Sequence, residues 1–136
     1  MKKIKNIKTG IQHGYRSGLE RKIAAQLTQL RVPVLFETLK IDYIIPQSPH
    51  RYTPDFILPN GIIIETKGQF KIADRKKHIL IKQQHPELDI RFVFSNARAK
   101  LYKGSKTTYA QWCIKNHFTY AHRYIPEAWI YEKPKI

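Results

Sequence analysis

Apolar residues recur at helical spacing near the start of the chain. Leu19, Ile23, Leu27 and Leu30 line one stripe, supported by Ala24 and Ala25, and predict a helix beginning at Ser17. Pro33 ends it, because the proline ring blocks continuation. Residues 34–39 read as a strand with Glu37 in its middle. Lys40-Ile41-Asp42-Tyr43-Ile44 alternates polar and apolar, the pattern of a strand with one wet face. Pro46 and Pro49 then stiffen an extended connector, either a loop or a bridge between two bodies.

Residues 52–58 and 62–67 are two apolar runs separated by Pro59-Asn60-Gly61, a turn sequence, and Gly68 ends the second run. Asp74 is placed to cap a helix running to His85, where Pro86 stops it. Ile90-Arg91-Phe92-Val93-Phe94 predicts another strand, to Ser95. A helix starts at Thr107 or Thr108 and runs to about Asn116, burying Tyr109, Trp112 and Cys113; one helical turn follows Pro126, up to Trp129. Trp112, Phe118 and Trp129 fit the core better than a base-stacking surface. The order of helix, strands, helix, strand, helix predicts an α/β domain, a mixed sheet flanked by helices.

The hairpin carries the chemistry. If Pro59-Asn60-Gly61 is a three-residue loop, Leu58 faces Ile62, and counting back sets Asp55 opposite Glu65. Lys67, two residues on, shares the face of Glu65. A two-residue Asn-Gly turn would shift the pairing by one and send the two carboxylates to opposite faces. Asp55 alone reads equally as a turn residue, and Glu65 with Lys67 as an exposed ion pair. Together they interrupt a strongly apolar hairpin (Phe56, Ile57, Leu58, Ile62, Ile63, Ile64), where charge needs a reason. Two carboxylates and an ammonium suit a magnesium-dependent attack on phosphate. Glu20 is a fourth candidate: Ser17-Gly18-Leu19-Glu20 matches a capping box, yet Glu20 also borders the apolar stripe and can point toward the sheet. Glu37 is either solvated or turned to the site, and is left unassigned.

Charge narrows the partner. The 136 residues carry a formal net charge of +15, which draws polyanions. No apolar run approaches bilayer length, so the membrane alternative is weak. The basic start has no following apolar segment, and a signal peptide is not expected. Cys113 stands alone, which excludes an intramolecular disulfide and zinc fingers. Residues 1–16 hold Lys2, Lys3, Lys5, Lys8 and Arg16 without an acid and read as a flexible basic arm. Arg75-Lys76-Lys77-His78 opens the second helix, and Lys100, Lys103 and Lys106 surround Gly104; both clusters are candidate DNA-backbone contacts, against the plain alternative of a solvated surface. The six histidines are scattered, and no metal-ligand spacing supports Asn116-His117.

Asp55, its nine-residue spacer and Glu65-Thr66-Lys67 resemble the PD-(D/E)xK nuclease signature, which implies a restriction-endonuclease-like fold. Further stretches sharpen the likeness: Arg16-Ser17-Gly18-Leu19-Glu20, Tyr52-Thr53-Pro54-Asp55-Phe56, Leu58-Pro59-Asn60-Gly61-Ile62, Asp74-Arg75-Lys76-Lys77-His78, His85-Pro86-Glu87-Leu88-Asp89-Ile90-Arg91 and Leu101-Tyr102-Lys103-Gly104-Ser105. With them the chain resembles the phage endonuclease I family of Holliday-junction resolvases, from about Arg16 to Trp129. The resemblance implies resolution of four-way and other branched DNA junctions by paired nicks, in the cytoplasm of a bacterial host. It implies magnesium or manganese, two ions per site, held by Glu20, Asp55 and Glu65 with Lys67 beside them. It further implies a homodimer with exchanged elements: residues 17–45 swapped, residues 46–52 the bridge and residues 53–136 the catalytic body. The family has a further acid early in its first strand, where Leu35 stands here. A nuclease of the same superfamily making sequence-directed or transposon-end cuts is the alternative, and a non-catalytic binder of structured nucleic acid a third.

Overall fold

The computed structural model describes residues 18–46 and 48–135. The expected arm over residues 1–16, with Arg16, and the cap residue Ser17 lie outside the described residues. Helix α1 (Gly18–Gln29) follows the apolar stripe and buries Ile23, Ala24 and Leu27. It closes as helices do before a proline: Arg31 takes a left-handed conformation (φ 56). The Val32 amide then folds back to the Leu27 carbonyl at 2.9 Å.

The strand expected over residues 34–39 is cut short. Only β1 (Leu35–Phe36) is extended, because Glu37 turns left-handed at φ 50. Strands β2 (Ile41–Ile45) and β3 (Ser48–Tyr52) pair antiparallel as a separate ribbon, so most of the expected connector is itself a strand. The predicted alternation holds in β2: Ile41 and Tyr43 face inward. They pack with Tyr52, Ile63, Ile81 and Ile90.

The predicted run over residues 52–58 is also divided. It bends at Asp55 and resumes as β4 (Phe56–Ile57), which pairs antiparallel with β5 (Ile63–Lys67). The loop is the three-residue form: the Leu58 amide donates to the Ile62 carbonyl at 2.9 Å, and Gly61 adopts φ 90. Phe56 faces Ile64 and Ile57 faces Ile63, the register expected from that loop. Strand β6 (Ile90–Phe94) lies parallel to β5, and β7 (Thr119–His122) parallel to β6. The five-stranded sheet runs β1-β4-β5-β6-β7, a mixed α/β sheet as expected. Strand β7 was not foreseen. Its Thr-Tyr-Ala-His sequence at the sheet edge has no apolar signature.

Helix α2 (Ile72–Gln84) starts earlier than Asp74, which sits inside its first turn and accepts from the Lys71 amide at 3.2 Å. Thr108 caps α3 (Tyr109–Lys115) through a reciprocal exchange with Gln111, at 3.1 and 2.9 Å. Helix α4 (Glu127–Ile130) is the single turn expected after Pro126. Aliphatic packing of α1 with Phe36, Phe56, Ile64 and Val93 forms one part of the core. An aromatic cluster of Phe70, Phe92, Phe94, Tyr109, Trp112 and Phe118 forms another. Strand β6, buried throughout, contributes to both. No helix among the described residues is long and apolar enough to cross a membrane.

Candidate active site

Extended one step beyond the Phe56–Ile64 pair, the register would set Asp55 against Glu65, but the ladder ends at Phe56. Asp55 reaches this place from the bend before β4 and not from a continued ladder. Because β4 begins only at Phe56, Asp55 supplies the acceptor that the next stretch of β5 needs: its Oδ2 takes the Thr66 amide and the Thr66 hydroxyl, each at 2.9 Å. The expectation that Asp55, Glu65 and Lys67 share one strand face therefore holds as a ladder for Glu65 and Lys67 alone. The charges remain in mutual range, and the negative charge of Asp55 helps to raise the Glu65 carboxyl.

Glu65 is 4% exposed, and both its oxygens are engaged. The Tyr52 hydroxyl donates to Oε1 at 2.7 Å, and the Lys67 ammonium stands 3.6 Å from Oε2. Burial and then Asp55 push the Glu65 carboxyl up to about 8, against the pull of Lys67, the Tyr52 hydroxyl and Lys77. Burial likewise raises Asp55 above the ordinary carboxylate range, although the Thr66 hydrogen bonds and Lys67 oppose it. Burial alone would lower Lys67, but Glu65, Asp74 and Asp55 outweigh it and hold the amine above its usual value. Lys67 is therefore a cation here, anchored to Asp74 Oδ1 at 3.2 Å. That favours charge neutralisation over proton abstraction.

Helix α1 and the bend after β1 deliver two more acids. Ligand oxygens of Glu20, Glu37 and Asp55 all lie within 4.8 Å of one another. Glu20, 6% exposed, is thus directed into the site. The left-handed turn at Glu37 brings in the acid that sequence reasoning left unassigned, whereas Leu35 is 42% exposed. Hard oxygen donors at this spacing suit an ion of the magnesium class. Glu65 stands outside this trio, on Tyr52 and Lys67.

Tyr52 and Asp74 were missed as site residues. Neither belongs to a recognisable spacing, and only the fold brings them to Glu65 and Lys67. The candidate DNA contacts divide. Lys76, Lys100, Lys103 and Lys106 are exposed. Lys77 lies with its Nζ 5.4 Å from the Tyr52 ring centre, over the site. Arg75 is a correction: it is buried, and its Nη1 donates to the Phe70 carbonyl at 2.5 Å, so it closes the helix start and is not on the surface.

Residues 1–136 match the family model described as phage endonuclease I. The chain belongs to the phage endonuclease I family. It is 54% identical over 121 residues to Endonuclease I of Escherichia phage T7, covering 89% of this chain and 81% of that relative. It is also 54% identical over 121 residues to Endodeoxyribonuclease 1 of Enterobacteria phage T3, covering 89% and 80%. As a member of this endonuclease family, the chain has in the acids around β5 and in Lys67 a set of groups suited to phosphodiester hydrolysis.

Proposed function

We propose that the chain is a metal-dependent endodeoxyribonuclease that resolves four-way and other branched DNA junctions by paired nicks, in the cytoplasm of the bacterial host. The observation that carries this reading is the convergence of Glu20, Glu37 and Asp55 within 4.8 Å, next to Glu65 and a cationic Lys67. A similar protein is named an endodeoxyribonuclease, and the net charge of +15 favours a polyanionic substrate.

Asp55 and Glu20, with Glu37 beside them, would hold magnesium or manganese, and Glu65 would join them as a carboxylate, its proton passing to solvent. Two ions fit the number of carboxylates. A metal held there would lower the pKa of a bound water and stabilise charge on the transferring phosphoryl group. Lys67 neutralises charge developing on the phosphate, and Asp74 holds it in place. Tyr52 fixes the rotamer of Glu65. Thr66 orients Asp55.

A homodimer with exchanged elements completes the reading. In the single chain residues 18–45 pack on their own body, and all the acids of the site come from one chain. Exchange would make the same contacts between chains, crossing where β2 and β3 meet, so that each site would draw Glu20 and Glu37 from one chain and Asp55, Glu65 and Lys67 from the other. Paired nicks at a junction follow from two such sites in one particle.

The test compares cleavage of a four-way junction with that of a linear duplex of the same sequences, with magnesium, for the wild type and Asp55→Asn. Preferred cutting of the junction by the wild type, with Asp55→Asn inert but still binding, is the expected result. Equal cutting of the duplex at defined sequences would favour a sequence-directed nuclease. Undiminished cleavage by Asp55→Asn would remove the catalytic reading altogether.

A further inference from the structure

We propose that the cleft between the first turns of α1 and the ends of β6 and β7 binds a backbone phosphate of the DNA strand being cut. This rests on the reading of the chain as a DNA nuclease. The cleft has a volume of about 370 Å³ and is lined by Gly18, Leu19, Lys22, Ser95, Arg123 and Tyr124. None of these belongs to the acid cluster or to the basic groups singled out in the sequence.

Its position ties it to the chemistry. Ser95 follows β6 and donates its amide to the carbonyl of Lys67 at 3.1 Å. Arg123 follows β7 and donates its amide to the Phe94 carbonyl at 2.7 Å. The cleft therefore opens at the carboxyl ends of the parallel strands β5, β6 and β7, the edge at which ligands of parallel sheets bind. Helix α1 links the two places, for Glu20 in its first turn belongs to the acid cluster while Gly18, Leu19 and Lys22 line the cleft.

The lining chemistry selects an anion. Lys22 and Arg123 are exposed cations, with no ion pair among the described residues, and no carboxylate lines the cleft. The Ser95 hydroxyl adds a donor. Tyr124, 53% exposed, offers a ring beside the cations, the combination that tracks single-stranded or unstacked nucleic acid. Arg123 also holds a left-handed backbone (φ 71), uncommon for an arginine. Glycine would adopt that conformation without strain.

The experiment measures binding of a fluorescent four-way junction across a salt series, with magnesium, in an Asp55→Asn background so that the DNA stays intact. Arg123→Gly and Lys22→Ala are each expected to weaken binding by about tenfold. Each should also reduce the slope of log K against log salt by about one. Arg123→Gly should do so without lowering Tm, since it removes backbone strain. Arg123→Lys should keep the slope. Lys115→Ala, on an exposed position of α3, is the control for bulk charge. Wild-type slopes in Arg123→Gly and Lys22→Ala, or an equal loss in Lys115→Ala, would overturn the proposal. Cleavage by the unsubstituted protein is followed in parallel. Cutting with unchanged slopes would reject the cleft alone, and binding without cutting would reject the nuclease reading alone.

Discussion

Glu65 should make the metal-free protein less stable as the solution becomes more alkaline. Its carboxyl titrates at about 8 in the folded chain, against an ordinary value of 4.5. Below the ordinary value both folded and unfolded chains are protonated, and the residue has no effect. Between the two values the folded chain keeps a proton that the unfolded chain has released, so stability falls as pH rises, and it levels off above about 8. Each tenfold difference in proton affinity between the folded and unfolded chains is worth roughly 1.4 kcal/mol, which makes the full swing on the order of 5 kcal/mol. Glu65→Gln keeps an acceptor for the Tyr52 hydroxyl and cannot ionise. Urea unfolding in chelator should therefore find the variant about as stable as the wild type in mild acid and more stable by a few kcal/mol at alkaline pH. Adding magnesium at alkaline pH should restore the wild type, because ligand binding to the folded state alone stabilises it, and should do much less for the variant. Parallel stability curves for the two proteins across the pH range would refute the assignment of Glu65 as a carboxyl that burial keeps protonated.

Three other substitutions probe the same architecture. Tyr52→Phe keeps the ring against His78 and Lys77 but removes the hydroxyl on Glu65. Calorimetric titration should show magnesium or manganese affinity down by about 10–100-fold with Tm little changed, and unaltered affinity would remove Tyr52 from the site. His78 is fully buried between Tyr52, Phe92 and Phe118, and neither ring nitrogen has a hydrogen-bond partner among the described residues. His78→Phe should stabilise the fold by about 1–2 kcal/mol in urea unfolding, and a loss of stability would reveal a partner for the imidazole. Gly61→Ala meets open space but must keep φ 90. It should lose about 1–2 kcal/mol, whereas unchanged stability would mean the loop can take another form.

The parts legible in the sequence are those where one period or one breaker dominates. The stripe of α1, the alternation of β2, the apolar β5 and β6, and the Pro59-Asn60-Gly61 loop all express local rules, and the pairing of Phe56 with Ile64 followed from them. The departures arise where tertiary contacts override those rules. Glu37 and Asp55 leave their strands, and those two irregularities bring their carboxylates together. Asp74 caps α2 from inside it, so the helix begins earlier than a side-chain cap signal suggests. Arg75 sits in a run of cations that reads as a surface patch, and only its bond to the Phe70 carbonyl sets it apart. The pair Glu65 and Lys67 was readable because charge inside an apolar hairpin is anomalous in any fold. Tyr52 was not, since an apolar ring with a hydroxyl fits an ordinary strand equally well.

Asp74 has one oxygen on Lys67 and the other on the Lys71 amide. Fraying of the first turn of α2 and release of the Lys67 ammonium are thus a single event. Warming should silence such a centre while most of the molecule is still intact, and deuterium uptake at the Lys71 amide would register the same opening.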